Sequence, residues 1–209
     1  YARERGMNCF NILNLVPQPQ RPVKWSCYAP LSVYTPEFYV ALKERLTPYV
    51  AELRKHGLER YAYVYGFDER LHDYYPAIGE LWRNLKRDFP EIPMMTTAMM
   101  YRDMRDGKEY PEQNITDWFC PLTSVYDPAL SERLRAQGHQ VWWYVCCGPT
   151  APHANFASFE YPPVEGRVLG WLGRHYAVDG LLFWHVNLWH DSTPLRGTDT
   201  YLPQWSVQN

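Results

Sequence analysis

Hydrophobic and polar positions along the 209-residue chain follow two alternating patterns. Short runs that are almost wholly apolar or aromatic, such as YAYVYGF at Tyr61–Phe67, predict strands buried on both faces. Longer segments with apolar residues three or four positions apart predict amphipathic helices. The first such helix follows Thr35, a residue type that caps helices, and it ends before Gly57.

Predicted strands and helices alternate about six times along the chain. The strands are expected at 7–13, 61–67, 93–99, 115–122, 141–147 and 180–187, and the helices at about 36–56, 74–89, 127–138 and 164–178. Strands joined by helical crossovers form a parallel sheet, so the sequence predicts the α/β class. Both an open doubly wound sheet and a (β/α) TIM-type barrel satisfy this pattern.

Two observations favour the barrel. No GxGxxG or Walker sequence follows a predicted strand, which removes the main support for a nucleotide-binding open sheet. The chain shows about six of the eight βα units that a barrel needs, and Tyr1–Gly6 looks like the end of a helix. A barrel that lacks its first part accounts for both features. We therefore interpret residues 1–209 as a single (β/α)-barrel domain, incomplete at its N-terminus and part of a longer chain.

Charge and motif content narrow the functional classes. Lysine and arginine total 21 and aspartate and glutamate 23, a balance that argues against a nucleic-acid partner. No apolar run reaches the roughly 18 residues of a membrane span. The seven histidines show no HxH or HExxH spacing, so we expect neither a metal nor a cofactor. Cys146 and Cys147 are interpreted as buried packing residues, with a nucleophile or a vicinal disulfide as alternatives.

The carboxylate pair Asp68–Glu69 is the strongest candidate for catalysis. It follows an apolar strand directly, at the strand end where barrel enzymes carry their reactive groups. Because neighbouring carboxylates repel, one can hold a proton while the other stays ionised, as acid catalysis requires. Both can face one pocket only if the backbone turns here. A solvated loop start or an acidic pair that caps a helix is an equally simple explanation.

Aromatic residues near the last two strands give a second signal. The chain has nine tryptophans and seventeen tyrosines. Those near the last strand ends are Trp142, Trp143, Tyr144, Trp184 and Trp189. For any one of them core packing is the simpler role, but a cluster at strand ends is typical of an apolar platform for carbohydrates.

Three segments resemble glycoside hydrolase family 123 and a related domain of unknown function. YVYGFDE, at Tyr63–Glu69, resembles the catalytic strand of that family. The segments Cys146–Phe156 and Glu165–Trp189 resemble its last barrel units. The matching motif positions are Cys146, Pro149, Pro152, Asn155, Arg167, Trp171, Asp179, Gly180, Trp184, Asn187 and Trp189.

The resemblance implies a retaining β-N-acetylgalactosaminidase that uses the 2-acetamido group of its substrate. Glu69 would be the general acid/base, and Asp68 would orient the acetamido group and stabilise the oxazolinium-like intermediate. The substrate would be a glycan or glycoconjugate, and the setting secreted or periplasmic. The residues expected to bind the sugar are Tyr101, Tyr126, Trp143, Asn155, Trp184, Asn187 and Trp189.

One position departs from the family pattern. Arg70 follows the pair where the family typically has proline. Its guanidinium would either favour ionised carboxylates nearby or point to solvent. Two alternative functions therefore stay open, namely a carbohydrate-binding barrel without catalysis and a glycosidase that acts on another sugar.

Overall fold

The structure is a computed structural model that describes residues 3–14, 30–97, 115–157 and 161–183. The chain divides into two compact units. The first comprises Tyr1–Pro121 and Ala129–Val141, and the second comprises Leu122–Pro128 and Trp142–Asn209.

A parallel sheet of five strands forms the centre of the first unit. Its strands, in spatial and chain order, are β1 (Phe10–Asn14), β2 (Ala62–Tyr65), β3 (Met94–Thr96), β4 (Trp118–Phe119) and β5 (Gln140–Val141). All four neighbouring pairs are parallel. Parallel pairing aligns the carboxyl ends of the strands at one edge, so the loops after β2 and β3 lie side by side.

In the described part of the chain, the α-helices that accompany this sheet are α1 (Pro36–His56), α2 (Tyr75–Asp88) and α3 (Pro128–Ala136). The predicted cap of α1 is confirmed, because Thr35 Oγ1 accepts a hydrogen bond from the Phe38 backbone N–H at 3.3 Å. Gly57 ends the helix at φ 62°, a left-handed conformation that favours glycine. The sequence therefore determines the limits of this helix locally.

Buried apolar side chains at helical spacing hold α1 and α2 in place. On α1 they are Phe38, Leu42, Leu46 and Val50, and on α2 they include Ile78, Leu81, Trp82 and Leu85. Each large apolar side chain that leaves water contributes about 1.5–3 kcal/mol. Because this burial stabilises the helices and the sheet together, the strand ends that carry the loops at the carboxyl edge are held in place.

The second unit contains β6 (Trp143–Tyr144), β7 (Leu181–Leu182) and α4 (Val164–His175). The two strands pair in parallel. Trp143, Val145 and Leu169 form the buried cluster of this unit. Gly180 lies so close to the Trp142 ring that an added Cβ would overlap it, so only glycine fits there.

The fold confirms the α/β class with a mostly parallel sheet and corrects several strand limits. The predicted strand 141–147 is two strands, since β5 pairs with β4 whereas β6 pairs with β7. Most other strands are shorter than predicted: 115–122 contains only Trp118–Phe119, and 61–67 contains only Ala62–Tyr65. Apolar runs extend beyond the hydrogen-bonded ladder because loop residues such as Phe67 and Cys120 are also buried. Among the helices in the described ranges, none has both the length and the apolar composition of a membrane span.

Candidate active site

The backbone turns sharply after β2, at the carboxylate pair. Gly66 N–H still donates to the Met95 carbonyl at 3.2 Å, which continues the pairing with β3 by one residue. Phe67 and Glu69 then adopt left-handed conformations, with φ of 56° and 50°. Residues other than glycine are rarely found in this region, and such strain persists only where the surroundings hold it.

Phe67 anchors this turn in the core. It is 1% exposed, and its ring packs against those of Tyr34 and Trp82 at centroid distances of 4.9 and 5.4 Å. The Thr96 hydroxyl donates to the Phe67 carbonyl at 3.1 Å. These contacts stabilise a backbone shape that the local sequence would not favour by itself.

Asp68 is half-buried and bound by two hydroxyl groups. Tyr65 Oη donates to Asp68 Oδ1 at 2.5 Å, and Thr97 Oγ1 donates to the same oxygen at 2.6 Å. No side chain in the described ranges donates a hydrogen bond to Oδ2. The carboxylate is thus fixed in orientation through one oxygen, and the second can accept a hydrogen bond from a ligand.

Glu69 has different surroundings. Its side chain is exposed, whereas its backbone N–H donates to Thr97 Oγ1 at 3.3 Å. Within this acidic pair, the Asp68 carboxylate is therefore held in place and half-buried, whereas the Glu69 carboxylate is accessible. Because Phe67 and Glu69 are left-handed, the turn rather than regular strand alternation determines where the two side chains lie.

Burial raises the pKa of two groups that interact with Asp68, the Tyr65 phenol and the Cys120 thiol. Desolvation is the largest cause and the negative charge of Asp68 the next, and they raise the pKa of Tyr65 well above its usual value near 10. The phenol therefore keeps its proton and remains a hydrogen-bond donor. The same two causes raise the pKa of the fully buried Cys120 thiol, which stays protonated as well.

Arg70, the departure from the family pattern, lies beside an aromatic ring. Its guanidinium carbon is 4.8 Å from the centroid of the Tyr74 ring, a cation–π distance. Arg70 is also half-buried. Of the two positions that the sequence left open for this side chain, one directed simply to solvent does not fit these surroundings.

Two predicted sugar-binding residues, Tyr126 and Trp143, pack against each other in the second unit. Their ring centroids are 5.4 Å apart, and Tyr126 Oη donates to the Tyr176 carbonyl at 3.2 Å. Trp143 is 4% exposed and belongs to the buried cluster with Leu169. Its main contribution in this structure is to the core.

Asn155, also predicted to bind sugar, is fully buried and ties a loop together. Its side-chain amide N–H groups donate to the carbonyls of Cys146 and Pro149, each at 3.0 Å. Its side-chain oxygen accepts from the Ala157 backbone N–H at 2.9 Å. The Cys146 and Cys147 sulfurs are 3.9 Å apart, so they form no vicinal disulfide here.

The remaining predicted binding residues, Tyr101, Trp184, Asn187 and Trp189, lie outside the described residues. Within the described ranges, no group of three or more His, Cys, Asp or Glu side chains is arranged to hold a metal ion. Sequence reasoning missed Tyr65 and Thr97 as site residues. Their positions at the ends of neighbouring predicted strands could have indicated them. Their contact with the same Asp68 oxygen, however, depends on the register between β2 and β3, which the sequence does not reveal.

Comparison with known proteins gives a consistent assignment. The family model "Glycoside hydrolase 123, catalytic domain" matches residues 26–207. No curated protein sequence matches the chain. A similar solved structure is a family 123 glycoside hydrolase from Clostridium perfringens, described in connection with glycolipid glycan hydrolysis. It has a TM-score of 0.54 and 18% identity over 74% of this chain and 26% of that one.

The chain thus spans about a quarter of the length of the Clostridium perfringens protein. A second structure, described as a glycerophosphoryl diester phosphodiesterase from Silicibacter pomeroyi, has a TM-score of only 0.40 and 17% identity. It covers 70% of this chain and 39% of its own, and its similarity is too low to bear on the fold. Since the family model extends over most of the sequence, the chain belongs to glycoside hydrolase family 123.

Proposed function

We propose that this chain is the catalytic part of a retaining β-N-acetylgalactosaminidase that acts with assistance from the substrate's 2-acetamido group. The observation that carries the proposal is the pair at the end of β2 in a family 123 domain: Asp68 is held by two hydroxyls, and Glu69 is accessible. This asymmetry suits a reaction in which one carboxylate orients and the other transfers a proton.

In the proposed reaction, the Glu69 carboxylic acid protonates the glycosidic oxygen as the bond to the anomeric carbon breaks. The acetamido carbonyl oxygen attacks that carbon from the opposite face and forms an oxazolinium ion. Asp68 accepts a hydrogen bond from the acetamido N–H through Oδ2 and stabilises the positive charge that develops. Glu69 then takes a proton from a water molecule whose oxygen attacks the anomeric carbon. The bond from that carbon to the acetamido oxygen breaks, and the product keeps the original anomeric configuration. Substrate-assisted hydrolases need no second carboxylate as nucleophile.

The wider site and architecture are part of the same proposal. We take the parallel sheet to belong to a (β/α) barrel formed by a single catalytic domain. Sugar binding by the aromatic and amide residues named from the sequence stays a prediction. Because Trp143 and Asn155 are buried, we expect them to contribute to sugar binding indirectly, by holding the surrounding loops in position.

The test is hydrolysis of 4-nitrophenyl β-N-acetylgalactosaminide, beside the matching N-acetylglucosaminide and the plain β-galactoside. We expect cleavage of the first, little of the second and none of the third, because the plain galactoside lacks the nucleophile. Asp68→Asn should reduce turnover by about 10²–10³-fold, the usual effect of removing one electrostatic stabiliser. Equal cleavage of the plain galactoside, or an Asp68→Asn variant at the wild-type rate, would contradict the mechanism. Absence of hydrolysis in a folded wild-type protein would favour a binding function.

A further inference from the structure

The hydrogen bonds around Asp68 involve two residues to which neither the sequence nor the family assignment gives a role. Tyr65, the last residue of β2, and Thr97, the residue after β3, contact the same carboxylate oxygen and each other. We propose that Tyr65 and Thr97 are positioning residues, which hold Asp68 in the orientation that its work on the acetamido group requires. This inference rests on the proposed function and adds the groups that control its geometry.

Proton counting supports a directed arrangement. Three oxygens, Tyr65 Oη, Thr97 Oγ1 and Asp68 Oδ1, make three contacts of 2.5, 2.6 and 2.8 Å. The two hydroxyls have one proton each, and the two shorter contacts are those to the carboxylate. Both protons therefore point to Oδ1, as expected of charge-assisted hydrogen bonds to an ionised acceptor.

Burial makes the arrangement rigid. Thr97 is 2% exposed, and the raised pKa of Tyr65 keeps its phenol protonated, so neither donor is lost to solvent or to ionisation. Tyr65 is itself held through its backbone N–H, which donates to Asn11 Oδ1 on β1 at 3.2 Å. With Oδ1 held in this way, the movement of the Asp68 carboxylate is restricted and Oδ2 can serve the substrate.

Thr97 has a second task, which Tyr65 does not share. Its hydroxyl oxygen also accepts the hydrogen bond from the Glu69 backbone N–H. One side chain directly after β3 thus contacts both members of the carboxylate pair on the loop after β2. Loss of this hydroxyl should therefore disturb the acid as well as the stabiliser.

The chain offers matched controls for both positions. Tyr63 lies two residues before Tyr65 on the same face of β2 and packs against Trp118 at a centroid distance of 5.3 Å. Thr116, a buried threonine just before β4, is the matched position for Thr97. Tyr63→Phe and Thr116→Val remove the same atoms as Tyr65→Phe and Thr97→Val, without removing a donor to Asp68.

The experiment is steady-state hydrolysis of 4-nitrophenyl β-N-acetylgalactosaminide by these variants in the full chain, each checked for its melting temperature. We expect Tyr65→Phe and Thr97→Val to lower kcat by about 10- to 100-fold with little change in KM, as for a misplaced reacting group. Thr97→Ser, which keeps the hydroxyl, should restore most of the rate. Tyr63→Phe and Thr116→Val should lower kcat much less.

A double-mutant cycle separates positioning from general support. In the Asp68→Asn background, Tyr65→Phe should cause no further loss, since it acts through the carboxylate that is already gone. An additive loss of kcat in that background, or wild-type kcat in both Tyr65→Phe and Thr97→Val, would overturn the inference. The proposed function would still be supported in that case if Asp68→Asn alone strongly lowers kcat. A wild-type rate for Asp68→Asn, or no hydrolysis by the wild type, would instead refute the proposed function, and this inference with it.

Discussion

Two neighbouring carboxylates of one sequence motif have unlike environments. The side chain of Asp68 accepts two short hydrogen bonds and is half-buried, whereas that of Glu69 is exposed. Local sequence makes both residues acidic, but the turn and the neighbouring strand make them different. At this scale the proposed chemistry depends on which carboxylate can reach a leaving group.

Glu69→Gln should affect substrates according to their leaving group. An amide cannot donate the catalytic proton, so glycosides of poor leaving groups should lose rate by about 10²–10⁴-fold, the usual contribution of a general acid. Aryl glycosides with acidic phenols should lose far less, since they depart without protonation. The measurement is kcat/KM across aryl N-acetylgalactosaminides of graded phenol acidity, with a disaccharide as the poorest leaving group. A uniform loss across the series, or wild-type rates on the disaccharide, would exclude Glu69 as the acid.

At the scale of elements, the loop after β2 is held by the core. Phe67 has a left-handed backbone and a side chain fixed between Tyr34 and Trp82. Trp82 belongs to α2, so this helix supports the site although it contributes no reactive group. Stability and function are therefore coupled at this turn.

Phe67→Ala should destabilise the protein and impair catalysis together. Truncation of a buried phenylalanine costs about 3–5 kcal/mol and here also releases the turn that carries Asp68. Denaturant unfolding gives the loss of stability, and kcat at a temperature where the variant is folded gives the catalytic loss. Phe156→Ala is the control, because Phe156 is 37% exposed and should matter less. Unchanged kcat in folded Phe67→Ala would show that the anchor does not position the pair.

At the scale of the whole molecule, elements distant in sequence are joined by a few charged contacts. Arg54 Nε, in the last turn of α1, donates to Glu91 Oε1, beyond α2, at 2.6 Å. This hydrogen bond lowers the pKa of Glu91 below its ordinary value of 4.5. A lowered folded-state pKa contributes stability above the unfolded-state value and loses it as the pH falls.

Glu91→Gln should therefore lower the free energy of unfolding at about pH 7 but not at about pH 3. Since the Arg54 side chain is 49% exposed and that of Glu91 28%, solvent screens the pair, and we expect only about 0.2–1 kcal/mol. Urea unfolding of the wild type and the variant at both pH values measures the difference. Glu132→Gln, at an exposed position on α3, is the control and should change little. A difference that persists at low pH would mean that packing, not charge, links α1 to Glu91.

Much of this protein follows from its sequence alone. Periodicity and capping residues predicted the α-helices that the described ranges contain, and the alternation of elements predicted the parallel sheet, because local spacing determines both. The Asp68–Glu69 pair and its position after an apolar strand indicated the candidate site. The resemblance of three segments indicated the family, which the comparisons confirm as glycoside hydrolase 123.

Only the tertiary structure decided what surrounds that pair. Strand register brings Thr97 and Tyr65 to one oxygen of Asp68, and the packing of Phe67 against α2 gives the turn its shape. Packing within the second unit buries Trp143, and Asn155 is fully buried there as well, although the family resemblance indicated both as sugar-binding residues. Register and burial arise from contacts between residues far apart in the chain, so no local pattern could have revealed them.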